Sequence, residues 1–362
     1  MTINKIFKYS QPAPSLKPYI YITPSIGRVR NALLLFLVPQ LVMLFITHTY
    51  SALFVILAAV LASIGAEILS LLYHEEKGIE IMSPLVQGII TGMLFPQTFS
   101  PIVAFVLTLF VMTLGKYFFG GFASSWITVP ALTIVVAYVL NINAFPAIPL
   151  SLEDLQSRNA ALVLIQNGSI PMLEVDPAIT GFFNRTVFKL FGIVVPDGYV
   201  SLFWDNGSLI PAFRFNFITL ISSIVLIASD MVDFIIPFIF IVLYSLLVRL
   251  IGPLVIHGVP MQGDMILALM TSGTLFSSLY LLQWYGTVPI SRAGKCVYAV
   301  IAAILAFLIM GYGMSSAGYA CVILLMNIIS TVIQGIESQN VRKKIETVLV
   351  PRINSFQEAG NV

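Results

Sequence analysis

The chain has 362 residues, 58% hydrophobic and only 9% charged, with a formal net charge of +2. Soluble globular domains carry about 25% charged residues, so this composition excludes a soluble enzyme and describes an integral membrane protein. The near-neutral balance leaves no electrostatic footprint for nucleic acid.

The first thirty residues are polar and Pro-rich, without the short apolar core and small-residue cleavage site of a signal peptide, so the first hydrophobic helix is expected to stay as an anchor. Long stretches without charge follow, from Arg30 to Glu67, Lys116 to Glu153, Asp264 to Arg292 and Lys295 to Glu337. Each can hold one or two spans of about 20 residues. Hydrophobic runs and their punctuation predict ten spans, at 31–48, 52–73, 83–95, 100–118, 126–143, 213–229, 234–251, 264–283, 295–312 and 315–335. The third is too short to cross alone. It runs "SPLVQGIITGMLFP" into "QTFSP", the pattern of a half-length or broken helix shielded by its neighbours.

Counting Lys and Arg gives the orientation. With the N-terminus inside, thirteen fall on the cytoplasmic side and five, Arg158, Arg185, Lys189, Arg214 and Arg249, on the outer side. Both termini are therefore expected in the cytoplasm. The expected organisation is a cytoplasmic segment 1–30, a first membrane half 31–143, an outward polar loop 144–212, a second half 213–335 and a cytoplasmic tail 336–362. Five spans on each side of the loop place the halves in opposite orientations, as in inverted repeats. The echo of "TGMLF" at Thr91–Phe95 by "SGTLF" at Ser272–Phe276 supports this, with Gly92 and Gly273 separated by 181 residues. Paired broken helices would point their ends at a midplane site, where helix N-termini favour an anionic or electron-rich group.

Few residues carry obvious chemistry. Two cysteines, Cys296 and Cys321, cannot supply the four thiolates of an iron–sulfur cluster. The histidines His48, His74 and His257 lack metal-ligand spacing, and neither a nucleophile triad nor a phosphate loop is present. Glu67, within the second span, is a candidate for cation passage because burying a carboxylate is costly; reaching the interface or pairing with a neighbouring helix is the plainer reading. Asp230 and Asp233 mark a cytoplasmic turn, and Asp264 reads as a helix cap. The stretch "GKYFFGGFASSWITVPA", Gly115 to Ala131, joins a cation, Lys116, to the close-packing Gly120 and Gly121 and the hydroxyls of Ser124, Ser125 and Thr128. It suits either a phosphate or flavin edge held by helix-start amides or a tight turn of small residues.

That segment resembles the motif of lysine, aromatic or leucine, Phe-Gly-Gly, Gly-Gln-Asn and Asn-Pro-Ala in the D subunit of Rnf-type ion-translocating ferredoxin:NAD oxidoreductases and the related B subunit of sodium-translocating NADH:quinone reductase. Similar segments follow the family's order along nearly the whole chain: "QPAPSLKPYIYITPSIGRVRNALLLFLVPQ", "GAEILSLLYHEEKG", "SPLVQGIITGMLFPQTFSP", "YGTVPISRAGK" and "GYGMSSAGYACVILLMNIISTVI". The resemblance implies an all-α polytopic subunit of an Rnf-type complex in the bacterial cytoplasmic membrane, partnered by other membrane and cytoplasmic subunits. It implies bound FMN, leaves room for a second, non-covalent flavin, and assigns activity to the assembly, which couples electron transfer to Na+ or H+ movement.

The departures are specific. Ala123, Ser124 and Ser125 stand in place of Gly-Gln-Asn, and Thr128 replaces an asparagine. The family attaches FMN by a phosphoester to the threonine of Asp-Gly-x-Ser-Gly-Ala-Thr in an outward loop. Here "VDPAITGFFNRTVFK" puts Phe182 or Phe183 at that position, leaving Thr180 or Thr186 as acceptor candidates. "WDNGSL", with Gly207 and Ser208, is similar to the family's Gly-Ser-Ile-Gly-Glu-Thr but lacks the glutamate. Two other readings follow from these losses: an inverted-repeat transporter or channel without redox chemistry, and a cofactor-free scaffold subunit.

Overall fold

The computed structural model describes residues 24–74, 81–119, 126–146, 150–156, 159–192 and 194–360; the side chains of 73–74, 116–119 and 348–360 are not described. The described residues form helices and connecting loops, with no strand among them.

The first group comprises α1 (Ile26–Ile46), α2 (Tyr50–His74), α3 (Met82–Leu94), α4 (Pro101–Phe119) and α5 (Val129–Leu140). Four short helices follow in the long loop: α6 (Leu152–Gln156), α7 (Ala160–Gln166), α8 (Asp176–Thr186) and α9 (Tyr199–Trp204). The second group is α10 (Asn216–Ala228), α11 (Ile235–Leu250) with the short α12 (Gly252–Val255), α13 (Met265–Met270), α14 (Thr274–Tyr280), α15 (Arg292–Met310) and α16 (Gly318–Gly360). Of these, α1, α2, α15 and the first part of α16 are long and apolar enough to cross a membrane, and α3, α4, α5, α10 and α11 are shorter apolar helices. At about 1.5 Å per residue, the 43 residues of α16 extend far beyond a hydrocarbon core of about 30 Å. The chain is thus a polytopic all-helical membrane protein.

The expected short third span is α3, 13 residues long. Its counterpart in the second group, expected as one helix over 264–283, is broken into α13 and α14 at Thr271–Gly273. Ten of the 13 residues of α3 and every residue of α14 are buried. Helices apolar all round are core helices, and irregular backbone at this depth is tolerated when neighbours enclose it. Gly88 and Gly92, four residues apart, let α3 press against α2: a Cβ on either would stand 2.6 Å from the Cα of Val60 or Ile56. That is the small-residue packing of membrane helices.

Buried side chains also join the two groups. The buried Gln40 of α1 donates from Nε2 to Thr219 Oγ1 of α10 at 3.0 Å. Thr128, before α5, joins Asn327 of α16; with the amide oriented so that its oxygen accepts, Thr128 N lies at 2.8 Å. Helix alternation sorts the connections onto two faces, and side chains tie each face together. On one face the long loop gathers the 47–49 turn through Arg214 Nη1 to Thr49 Oγ1 (2.8 Å), the 95–100 turn through Gln97 N to Leu209 O (2.8 Å) and the 251–264 turn through Gln156 Nε2 to Ile256 O (2.7 Å). On the other, Asp233 pairs with Lys295, and Glu337 accepts from Ile290 N at 2.9 Å. Asp233, read from sequence as a solvated turn residue, is therefore a partly buried anchor, which Gln283 grips through both backbone groups at 3.0 Å.

Candidate functional site

The break between α13 and α14 organises the site. A helix end leaves its last carbonyls without intrahelical partners, and inside a membrane water cannot take them all. Thr271 N and Oγ1 donate to Leu267 O at 3.1 and 2.7 Å, and Ser272 and Thr274 hydroxyls both donate to Ala268 O. Met270 O receives two amide nitrogens, Asn206 Nδ2 at 2.7 Å and Asn216 Nδ2 at 2.8 Å. Gly273, at φ 68°, turns the chain where a Cβ would fall 2.0 Å from the Phe213 ring. At the start of α13, Asp264 caps as expected, accepting from Ile266 N and Leu267 N at 2.9 and 3.1 Å. Its second oxygen accepts from Ala161 N of α7 at 2.8 Å, fixing the loop to the broken helix.

The loop segment Asp205–Ile210 is folded by its own side chains. Asp205 Oδ1 accepts from Gly207 N, and Asn206 Oδ1 from Ser208 N, each at 3.0 Å. These are Asx turns. Arg214 grips both oxygens of Asp205, at 2.6 and 2.9 Å.

Three segments distant in sequence meet here: Asn206–Ile210, Thr271–Ser272 and Gly313–Ser316. They enclose a pocket of about 420 Å³, whose polar lining includes Asn206, Ser208, Thr271, Ser272, Ser315 and Ser316 over an apolar base that includes Ile170 and Phe213. No lining residue is ionisable. Among the described residues, the hydroxyls of Ser315, Ser316 and Ser169 form no intramolecular hydrogen bond, so they stand available to a ligand. The volume falls in the ordinary range for small-molecule and cofactor sites, about 300–1,000 Å³. The lining suits a neutral, hydrogen-bonding ring system; it offers a phosphate hydroxyls and backbone amides, with no cationic side chain.

Of the residues singled out from sequence, Gly207 and Ser208 line this pocket, whereas Thr128, Thr180, Thr186 and Glu67 do not. Gly120, Gly121, Ser124 and Ser125 lie outside the described residues, as does the side chain of Lys116. Thr128 is buried against Asn327, and Glu67 is half-buried on α2. Thr180 is buried, donates to Asp176 Oδ1 at 3.0 Å, and lines a second, apolar cavity. Thr186 is exposed and donates to Phe182 O at 2.8 Å. Asp176 holds the loop together: buried completely, it also accepts from Gly198 N (2.9 Å), Ser201 N (2.6 Å) and the Ser201 hydroxyl. Burial pushes its pKa up, but the four donors outweigh this and hold the carboxyl below its ordinary value.

Sequence reasoning picked out Gly207, Ser208 and the "GYGMSS" segment by resemblance, but not Asn206, Asn216, Thr271, Ser315 or Ser316 as site residues. A cluster of hydroxyl and amide residues beside glycines in an apolar chain was the available signal; their convergence was not. No individual curated protein is a significant match to the chain. The sequence model of the NQR2, RnfD, RnfE family matches residues 14–343.

Proposed function

The chain belongs to the NQR2, RnfD, RnfE family, a membrane subunit of a multisubunit complex of the Rnf or Nqr type, and from that premise we propose that its loop-side pocket seats a flavin in an ion-translocating electron-transport complex. The observation that carries this reading is the convergence of Asn206–Ile210, Thr271–Ser272 and Gly313–Ser316 on one uncharged, hydroxyl-rich pocket. A bound flavin supplies one- and two-electron transfer between partner centres. The protein's own residues bind and orient: Ser315 and Ser316 offer donors to a ring edge, the break at Thr271–Gly273 keeps the pocket open, and the loop covers it from water.

The complex takes electrons between ferredoxin and NAD and couples them to Na+ or H+ movement, with Glu67 on α2 as the candidate for cation passage. The setting is the bacterial cytoplasmic membrane, with both termini inside and the long loop outside. FMN is the flavin expected, with Thr180 or Thr186 as the acceptor of any covalent bond, Lys116, Gly120, Gly121, Ser124, Ser125 and Thr128 as further candidate contacts, and room in the complex for a second, non-covalent flavin.

The test uses the full chain co-expressed with a flavin transferase. In-gel fluorescence after denaturation reads covalent flavin, with Thr180→Ala and Thr186→Ala to identify the acceptor. Flavin released from the native protein reads non-covalent binding, and Ser315→Val with Ser316→Val is expected to weaken retention about tenfold per lost hydrogen bond of roughly 1.4 kcal/mol. A chain that holds no flavin in either assay, alone or in its assembled complex, refutes the reading and leaves a transporter or a cofactor-free scaffold.

A further inference from the structure

The loop segment that occupies the flavin-acceptor position by resemblance has a composition of its own. From Pro177 to Pro196 it contains no acidic residue, two cations, Arg185 and Lys189, and the aromatics Phe182, Phe183, Phe188 and Phe191. Several of its apolar side chains are exposed: Phe182 is 60% exposed, Leu190 82%, Phe191 70% and Val194 82%. A contiguous exposed apolar patch of this kind marks a binding surface. Arg185 and Lys189 are exposed as well, and neither side chain has an ion pair or hydrogen bond among the described residues.

Beneath the patch lies a cavity of about 890 Å³, lined by Phe183, Phe188 and Val194 from this segment and by Phe217 of α10 and Ile266 and Met270 of α13. Phe217 and Ile266 are each the second residue of their helices. The cavity therefore reaches the first turns of two helices on the loop side of the protein. Trp204, 43% exposed, packs on Phe217 at 5.4 Å between ring centroids, in keeping with the tryptophan belt at a membrane–water boundary.

We infer that Phe182–Val194 is an interfacial lipid-binding segment. It seats an anionic phospholipid of the loop-side leaflet, with the phosphate held by Arg185 and Lys189 and an acyl chain in the cavity between the segment and α10 and α13. The occupant is chosen by charge and position together: an apolar face carrying only cations, continuous with membrane helices, matches a lipid with an apolar tail and an anionic head. A protein partner of that face would need apolar surface and acidic groups at the same level of the bilayer. This inference is independent of a flavin in the polar pocket, which shares no lining residue with this cavity, but a flavin bonded to Thr180 or Thr186 would compete with the lipid for this segment.

The experiment uses the full chain in liposomes, with Cys296→Ala and Cys321→Ala as background and a spin label at Phe191→Cys, at Val194→Cys, or at the control Glu153→Cys. Accessibility is compared for oxygen, which partitions into lipid, and a water-soluble nickel chelate. Labels at 191 and 194 are expected to favour oxygen, and the control the chelate. In detergent, retention of phosphatidylglycerol over phosphatidylcholine is expected to fall about fivefold for each cation removed in Arg185→Gln and Lys189→Gln. Chelate access at 191 and 194 equal to the control overturns the inference, as does unchanged phosphatidylglycerol retention in the double variant. Labels shielded from both reagents only in the assembled complex overturn it in favour of a subunit interface.

Discussion

Gln40 on α1 donates to Thr219 on α10 at 3.0 Å, with both side chains buried. The two positions are 179 residues apart, so the bond joins the first helix of one group to the first helix of the other. Hydrogen bonds between membrane helices contribute about 0.6 kcal/mol on average and up to about 1.7. A double-mutant cycle of Gln40→Ala and Thr219→Ala, followed by unfolding in mixed micelles, is expected to return a coupling in that range; additive effects would show that the bond does not join the halves.

Gly273 and Gly192 are both left-handed, at φ 68° and 64°, but have different surroundings. A Cβ on Gly273 meets the Phe213 ring at 2.0 Å, whereas nothing lies within 4 Å of one on Gly192. Gly192→Ala pays only the left-handed backbone cost, about 1–2 kcal/mol. Gly273→Ala adds overpacking of about 1–3 kcal/mol, and it closes the helix break on which the polar pocket depends. Thermal unfolding of the two variants, with flavin retention measured alongside, is expected to rank Gly273→Ala as much the worse; equal effects contradict the packing argument.

Asp176 makes the loop's stability pH-dependent. Its folded pKa lies below the ordinary carboxylate value near 3.9, so the unfolded loop binds protons more readily than the folded one. The contribution is fully present above the unfolded value and is lost as pH falls through the folded one. Limited proteolysis of the loop, followed from neutral pH downward, is expected to accelerate only in that acid window. Asp176→Asn should cleave faster already at neutral pH and lose the acid step.

At the opposite face two interactions on Asp233 can be ranked by magnitude. Its ion pair with Lys295 is partly exposed, at 22% and 29% for the two side chains, and such pairs contribute about 0–1 kcal/mol. Gln283 instead satisfies both the N–H and the C=O of Asp233, and leaving such groups unpaired costs about 1–3 kcal/mol each where water is excluded. Gln283→Ala is therefore expected to lower the unfolding midpoint more than Lys295→Met. High salt should mimic the lysine variant but not the glutamine variant.

Much of the architecture could be read from composition because a bilayer leaves few choices. Twenty apolar residues without charge must be helical, since no water is there to satisfy the backbone. The short α3 followed from its length and the Pro-rich turn after it, and Asp264 was identifiable as a cap because capping is a local bond. The break in the second group was legible only as the echo of a glycine, for the apolar runs on either side of Thr271–Gly273 read together as one continuous span.

The amino-acid sequence by itself determined what is local or imposed by the solvent: the membrane class, the positions of most helices, and the family to which the ordered motifs belong. Tertiary structure alone decided which polar residues share a space. Asn206 reaches the pocket because Met270 O, at the end of a broken helix, needs a donor and finds one on a loop far away in sequence, and packing brings Thr271 and Ser316 to the same space. The bond from Thr180 to Asp176 is local, an i,i+4 pair on α8, but tertiary packing decided that this pair lies by the apolar cavity rather than by the polar pocket.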